Sequence, residues 1–288
     1  MIATLIAAAA LTVTPVSRAM QPGEPVLLSI TGPRAISAVK VTAFQVDTPG
    51  FMPDPADARH WTALIGIDLD TRPGAYSVHV AATSEQGPVA ADIQIRVVAK
   101  KFPTRRLSVD EAFVNPPESA RARIDAESKE TAAIFAASAS SRLWTTFVRP
   151  VPQPANSAFG TRSVFNGQPR NAHSGADFLS PAGTPVKAAA AGKIMLAKNL
   201  YYSGNTVIID HGLGVFSLFA HLSRIDVAAG ATVTEKDVIG LVGATGRVTG
   251  PHLHWTVRVA GARVDPLGVL AVLSRPAVPK PASAKRLE

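Results

Sequence analysis

Apolar and polar positions alternate in short runs through the first third of the chain: VLLSI, AVKVTAFQV, WTALIGIDL, AYSVHVAAT and ADIQIRVVA, all within residues 24–101. Turn residues divide them, among them Gly32-Pro33, Arg72-Pro73-Gly74 and Gln86-Gly87-Pro88. Period-two runs with Pro/Gly punctuation and no helical period predict a small β-sandwich over 22–101, with residues 72–74 as a hairpin turn. His60 and His79 fall here without partnering residues and read as structural or surface side chains.

Further on, the pattern changes twice. KKFPTRRLSVDEAFVNPP is basic and proline-rich and reads as an extended linker. Residues 118–137 read as a helix, with Ile124, Ile134 and Phe135 as its apolar contacts. Linker and helix together occupy 102–145. A second proline-rich stretch, TFVRPVPQPANSAFGTR, opens a domain over 146–272, where NTVIIDH and VFSLFAHL alternate between glycine turns as strands of an antiparallel sheet do. The proline-rich joints imply that residues 147–270 fold without the first domain. The last stretch, 273–288, is rich in Pro, Ala and Lys and reads as a dispensable tail. Residues 2–13 form an apolar run too short to span a bilayer. With the small residues around Ser17 and Ala19 it reads as a signal peptide over about 1–20, so that the mature chain has no stable membrane insertion.

One alternating stretch carries chemistry. In HLHWTVRV, residues 252–259, a strand places Leu253, Trp255, Val257 and Val259 on one face and His252, His254, Thr256 and Arg258 on the other. Upstream, HSGAD sets His173 and Asp177 on either side of Gly175, which disfavours a helix and puts the pair on a bend or extended edge. His173, Asp177 and one histidine of the HLH pair make a three-ligand site of the type that leaves a fourth position open for hydrolysis. The other histidine is then free for proton transfer.

Composition narrows the chemistry. The chain has 288 residues, 47% of them hydrophobic and 17% charged, enough for one or two good cores. It has no cysteine, so a metal site must use His and carboxylate ligands. The net charge of +8 suits a polyanionic environment. No zinc finger, helix-turn-helix or RNP pattern accompanies the charge, and nucleic acid is not an expected partner. GATGRVTG lacks the strand-to-helix setting of a nucleotide cradle and reads as a turn. Five of the seven histidines lie between His173 and His254. His211, in IDHGLG, reads as structural.

FGTRSVFNGQPRNAHSGADF, GTPVKAAAAGKIMLA, NTVIIDHGLGVFSLFAHLSRIDV, GLVGATGRVTGPHLHW and GARVDP together resemble the lysostaphin-like zinc metallopeptidases of the bacterial cell wall. The resemblance implies Zn2+ held by His173, Asp177 and His254, with His221 and His252 as catalytic histidines. The upstream part resembles the immunoglobulin-like amino-terminal module of exported Gram-negative members. The fold so implied is mostly β: a sandwich and an antiparallel metallopeptidase sheet joined by a helical linker. The expected function is zinc-dependent hydrolysis of peptide bonds in peptidoglycan stems or cross-links by a metal-activated water, in the periplasm or cell envelope. Two other readings stay open: a non-catalytic cell-wall-binding activator of another hydrolase, and a zinc-stabilised structural domain. Arg162, Asn166, Tyr201, Tyr202 and Asn205 are possible groove residues that the sequence does not place.

Overall fold

A computed structural model describes residues 11–108, 115–156 and 159–274. The first seven strands are β1 (Thr12–Val16), β2 (Pro25–Thr31), β3 (Ile36–Ala43), β4 (Val46–Pro49), β5 (His60–Gly66), β6 (Gly74–Ser84) and β7 (Gly87–Val97). They form two antiparallel sheets, ordered β1-β2-β5 and β4-β3-β6-β7. The inward positions of both sheets, including Val26, Leu28, Ile30, Val41, Ala63, Val78 and Val80, share one dry core. The expected sandwich is present. Residues 72–74, however, do not close a hairpin, because β5 and β6 lie in different sheets and the turn carries the chain between them.

The linker is more structured than its composition implies. Its strand β8 (Thr104–Leu107) precedes helix α1 (Glu118–Ala136), and β8 pairs in parallel with β9 (Arg162–Phe165), which pairs with β10 (Gln168–Pro169). Phe135 of α1 meets Phe216 edge-on at 5.5 Å between centroids, and Ile134 packs on the same patch. Ile124 is half-buried and outside that patch.

The second domain is a nine-stranded antiparallel sheet. Its strands are β11 (Gly175–Phe178), β12 (Pro185–Lys187), β13 (Gly192–Leu200), β14 (Gly204–Gly212), β15 (Val215–Ile225), β16 (Thr232–Val233), β17 (Val238–Val242), β18 (Leu253–Val259) and β19 (Ala262–Val264). The main path runs β11-β18-β15-β14-β13-β16, and α2 (Pro266–Leu273) follows, capped by the Asp265 side chain. In β18 the expected alternation holds: Leu253, Trp255, Val257 and Val259 are fully buried. Each such side chain stabilises the fold by about 1.5–3 kcal/mol, and together they fix which face of β18 is turned outward.

Two expectations concern the chain ends. The expected leader falls partly on residues 1–10, outside the described residues, but its second half is built into the sandwich. β1 pairs with β2 along its whole length, Leu11 is buried, and Arg18 bonds both Glu24 and Asp265. The tail expected over 273–288 begins inside α2, whose last residue is Leu273, and the remainder from 275 lies outside the described residues.

Nor are the two domains independent. Leu64 and Leu27 of the sandwich belong to the core of the second domain, and Phe51 packs against Trp144 at 5.4 Å. The Asp265 amide donates to the Gly23 carbonyl at 2.7 Å, and the Arg263 amide donates to Asp68 Oδ2 at 2.9 Å. A Cβ on Gly66 would lie 2.6 Å from that of Ala262, so only glycine allows β5 and β19 to approach this closely. We expect a 145–272 fragment to be insoluble or to melt well below the full chain, in contrast to the modular reading of the prolines. Removal of residues 1–19 should lower the melting temperature, because it takes away β1 and the Arg18 bridge. Arg18→Ala removes the cation from the buried Asp265 carboxylate and leaves Glu24 with Lys100 alone, at 3.4 Å, and should cost about 2–3 kcal/mol in denaturant unfolding.

Candidate metal centre and its histidines

β11 and β18 pair in antiparallel register with Asp177 directly opposite His254. Cross-strand partners share a face, so the β18 burial that turns Leu253 and Trp255 inward also turns His254 toward Asp177. His173 precedes β11 and is tied by its backbone, its carbonyl accepting from the Gly160 amide at 2.7 Å and its amide donating to the Thr161 carbonyl at 2.9 Å. Three ligand atoms converge: His173 Nε2 is 3.1 Å from Asp177 Oδ1 and 3.0 Å from His254 Nδ1, and His254 Nδ1 is 2.9 Å from Asp177 Oδ1. Hydrogen bonds cannot satisfy all three edges of such a triangle of two imidazole nitrogens and one carboxylate oxygen. One cation at its centre can, and the donor set suits a metal of zinc's type. These residues are the three-ligand group found among the described residues.

The surroundings support that use. His254 Nε2 lies 3.0 Å from Thr256 Oγ1, two residues along the same strand face, a partner that would fix the ring with Nδ1 toward the metal. His173 Nδ1 is enclosed and meets no acceptor among the described residues. A Cβ on Gly175 would lie 2.7 Å from His254 Cε1, so the glycine in HSGAD makes room for the imidazole besides disfavouring a helix. Burial pushes the Asp177 carboxyl up, but the bonds to His173 and His254 outweigh it and hold the group well below the usual carboxylate range.

Two more histidines face this centre. The His221 ring is 5.0 Å from that of His252 and 5.9 Å from that of His254. His252 Nε2 lies 3.9 Å from Asp177 Oδ1. Each has its Nδ1 against a carbonyl, His221 on Thr245 at 2.9 Å and His252 on Gly250 at 2.9 Å. A carbonyl only accepts, so both Nδ1 atoms carry hydrogen, and the neutral form of either ring has its lone pair on Nε2. Burial lowers His221 to about 4, which keeps it neutral at pH 7. Its backbone is unusual for a strand, with φ of 65° in the left-handed region, and the β15 register shifts across it against β14 and just after it against β17. That bulge re-aims the imidazole.

The sequence picked the five residues of this cluster, but it did not show what holds them. Thr245, Thr256 and Gly250 are ordinary residues until pairing brings their oxygens to a histidine. Arg247 and the aromatic ring of Tyr202, stacked 4.3 Å apart beside Thr245, lay in a stretch read only as a turn and among unplaced candidates. Of the other groove candidates, Arg162 turns to Asp70 of the sandwich at 3.5 Å, and Asn205 bonds Asn199 at 3.0 Å. The Tyr201 amide donates to Glu127 of α1 at 2.8 Å, and Asn166 sits on the β9–β10 turn with φ of 47°.

The family model described as Peptidase family M23 matches residues 171–266, which contain the whole cluster. A Pseudomonas aeruginosa protein described as an M23 peptidase, known from its crystal structure, is 31% identical. The alignment covers 87% of this chain and 94% of that one, with a TM-score of 0.67. The chain belongs to the M23 peptidase family. Within the M23 region it is 47% identical over 97 residues to the DD-carboxypeptidase/endopeptidase Mpg of Neisseria meningitidis, aligning 34% of this chain and 22% of that protein. It is 45% identical over 93 residues to the peptidoglycan DD-endopeptidase ShyA of Vibrio cholerae, aligning 32% of this chain and 22% of that protein. The matched stretch is therefore about a fifth of those relatives' length.

His211 of the M23 sheet stands apart from the cluster. It is fully buried in β14, donating through Nδ1 to the Ala191 carbonyl at 2.8 Å and accepting at Nε2 from Ser217 Oγ at 2.9 Å, with Phe147 against its ring. Burial lowers it to about 4. The folded form thus resists a proton that the unfolded chain takes up near pH 6.5. His211 contributes its full stability above that pH and loses it as the pH falls from about 6.5 to 4, a loss of roughly 3 kcal/mol. In denaturant unfolding, His211→Gln should flatten the pH dependence of stability across this window by close to one proton, while lowering stability at pH 7.

Proposed function

We propose that this chain is a zinc-dependent endopeptidase that hydrolyses peptide bonds in the stems or cross-links of peptidoglycan. The observation that carries the reading is the triangle of His173 Nε2, Asp177 Oδ1 and His254 Nδ1, with edges of 2.9–3.1 Å, facing two histidines whose Nε2 lone pairs are left available. The names of the M23 relatives, with their DD-peptide specificity, supply the substrate class.

His173, Asp177 and His254 would hold the zinc, which when bound polarises the scissile carbonyl and activates water for attack. The other roles belong to side chains of this protein. Thr256 keeps the His254 ring in its ligating orientation through Nε2. The Gly250 and Thr245 carbonyls hold His252 and His221 in the tautomer that can accept a proton at Nε2. One imidazole takes the proton of the attacking water and hands it to the departing amine, while the other orients the reactants from the opposite side. The bulge at His221 aims this second ring at the same spot as the first. Such a substrate lies outside the cytoplasm, and we assign the protein to the cell envelope.

Metal ligands and proton carriers separate by experiment. His173→Ala, Asp177→Ala and His254→Ala should lose both zinc, by metal analysis, and clearing of purified peptidoglycan. His221→Ala and His252→Ala should keep zinc and slow turnover by about 10²-fold or more. Full activity in both of the last two variants would place the site elsewhere, and zinc-loaded wild-type protein that clears nothing would favour the non-catalytic activator. Export is checked by sequencing the amino terminus of protein from the native host: a chain that has lost its leader supports the assignment, and a chain retaining Met1 in the cytoplasm would end it.

A further inference from the structure

Immediately beside the histidine cluster, two loops are locked together. The Arg247 amide donates to the Tyr202 carbonyl at 2.9 Å, the Asn205 amide donates to Thr245 Oγ1 at 2.9 Å, and the His221 amide donates to the Ser203 carbonyl at 2.9 Å. Gly246 permits the contact: with φ of 79°, it sits so close that a Cβ would lie 2.4 Å from the Gly204 nitrogen. Arg247 is thereby fixed between the residue that orients His221, Thr245, and the residue that orients His252, Gly250. Its guanidinium lies over the Tyr202 ring at 4.3 Å, half-buried. A second guanidinium, that of Arg170, three residues before the ligand His173, is near enough to act electrostatically on it. Glu127 of α1 secures the far side of this platform by accepting from the Tyr201 amide.

The arrangement gathers positive charge where nothing in the hydrolytic step calls for it. The metal ligands and both proton-carrying histidines are complete without either arginine. A guanidinium stacked on an aromatic ring uses its face for that contact, and recognition of a carboxylate uses its edge, through paired N–H donors. Resting on the peptidase reading, the substrate has such a group. In a DD-peptide bond the D-configured carbon on the nitrogen side of the scissile bond carries a carboxylate when it belongs to a free stem end or to the accepting residue of a cross-link. That carboxylate sits two bonds from the nitrogen that must depart. We propose that Arg247, stacked on Tyr202 and seconded by Arg170, binds this carboxylate and so selects bonds whose nitrogen-side residue bears a free acid. Arg247 is a specificity-determining residue, and Tyr202 and Glu127 are positioning residues that act through it.

The test uses zinc-loaded full-length protein and two synthetic stem peptides identical except that the nitrogen-side residue of the DD bond ends in a carboxylate or a carboxamide. The wild type should prefer the carboxylate by about 10- to 100-fold in kcat/KM, the range of a charge-assisted pair. Arg247→Gln should erase the preference through a raised KM for the carboxylate peptide, leaving kcat, zinc content and cleavage of the carboxamide peptide unchanged. Arg247→Lys should keep part of the preference, since it retains charge without the planar fork, and Arg170→Gln should lose a smaller part. If Arg247→Gln melts early, unchanged zinc content and carboxamide cleavage in Arg247→Lys still allow the comparison. A wild type that cleaves both peptides equally, or a preference that survives in Arg247→Gln, overturns the subsite and leaves the peptidase reading intact. A wild type that cleaves neither overturns both.

Discussion

The site depends on the burial of one face of β18. Leu253, Trp255, Val257 and Val259 have no exposed surface, and each lies across from a residue of β15 or β11. Because a strand alternates strictly, driving these four side chains inward leaves His254 and Thr256 no choice of face. The antiparallel register then sets Asp177 beside His254 on one side and Ala220 beside it on the other. A slip of one residue would carry the imidazole into the core and Trp255 into the groove, at a cost of several kcal/mol that no metal is needed to impose. The hydrophobic effect thus builds the metal centre, and the polar chemistry occupies positions that packing has already chosen.

Around that fixed strand the remaining groups are held by means that differ in kind. Asp177 is placed by strand pairing, His173 by backbone hydrogen bonds to residues 160–161, and His221 by a bulge whose left-handed residue is not a glycine. Such a backbone conformation costs roughly 1–2 kcal/mol for a residue with a side chain. The surrounding hydrogen bonds, His221 to Ser203 through its amide and to Thr245 through its ring, over-determine it. Strain tolerated at one point of the sheet is what brings a residue of β15 to the same place as the residues preceding and following β18's first turn of pleat.

What could be read from the sequence follows from range. Alternation is a local property, so HLHWTVRV gave up its buried and outward faces correctly, and HSGAD with HLH carried enough ligand chemistry to pair at a distance. The glycine of HSGAD was read as a conformational signal, whereas in the fold it is also a void for His254. Non-local facts were hidden. Nothing in FAHLS marks His221 as left-handed, nothing in GATGRVTG marks Arg247 as stacked on Tyr202, and nothing in the apolar start of the chain says that residues 12–16 pair as a strand with β2. Prolines at the domain joints suggested separation because proline breaks local structure. They say nothing of Asp68, Gly66 and Gly23 meeting Arg263, Ala262 and Asp265 across the boundary.

That boundary is crossed at two places by strand and side-chain contacts. β8 leaves the sandwich and lies parallel to β9, and the ends of β19 and α2 return to Asp68 and Gly23. Covalent continuity between β8 and α1 is then only one of three ties. A break in the chain there would leave β8 still paired with β9 and the sandwich still held to β19 and α2 through Asp68 and Gly23.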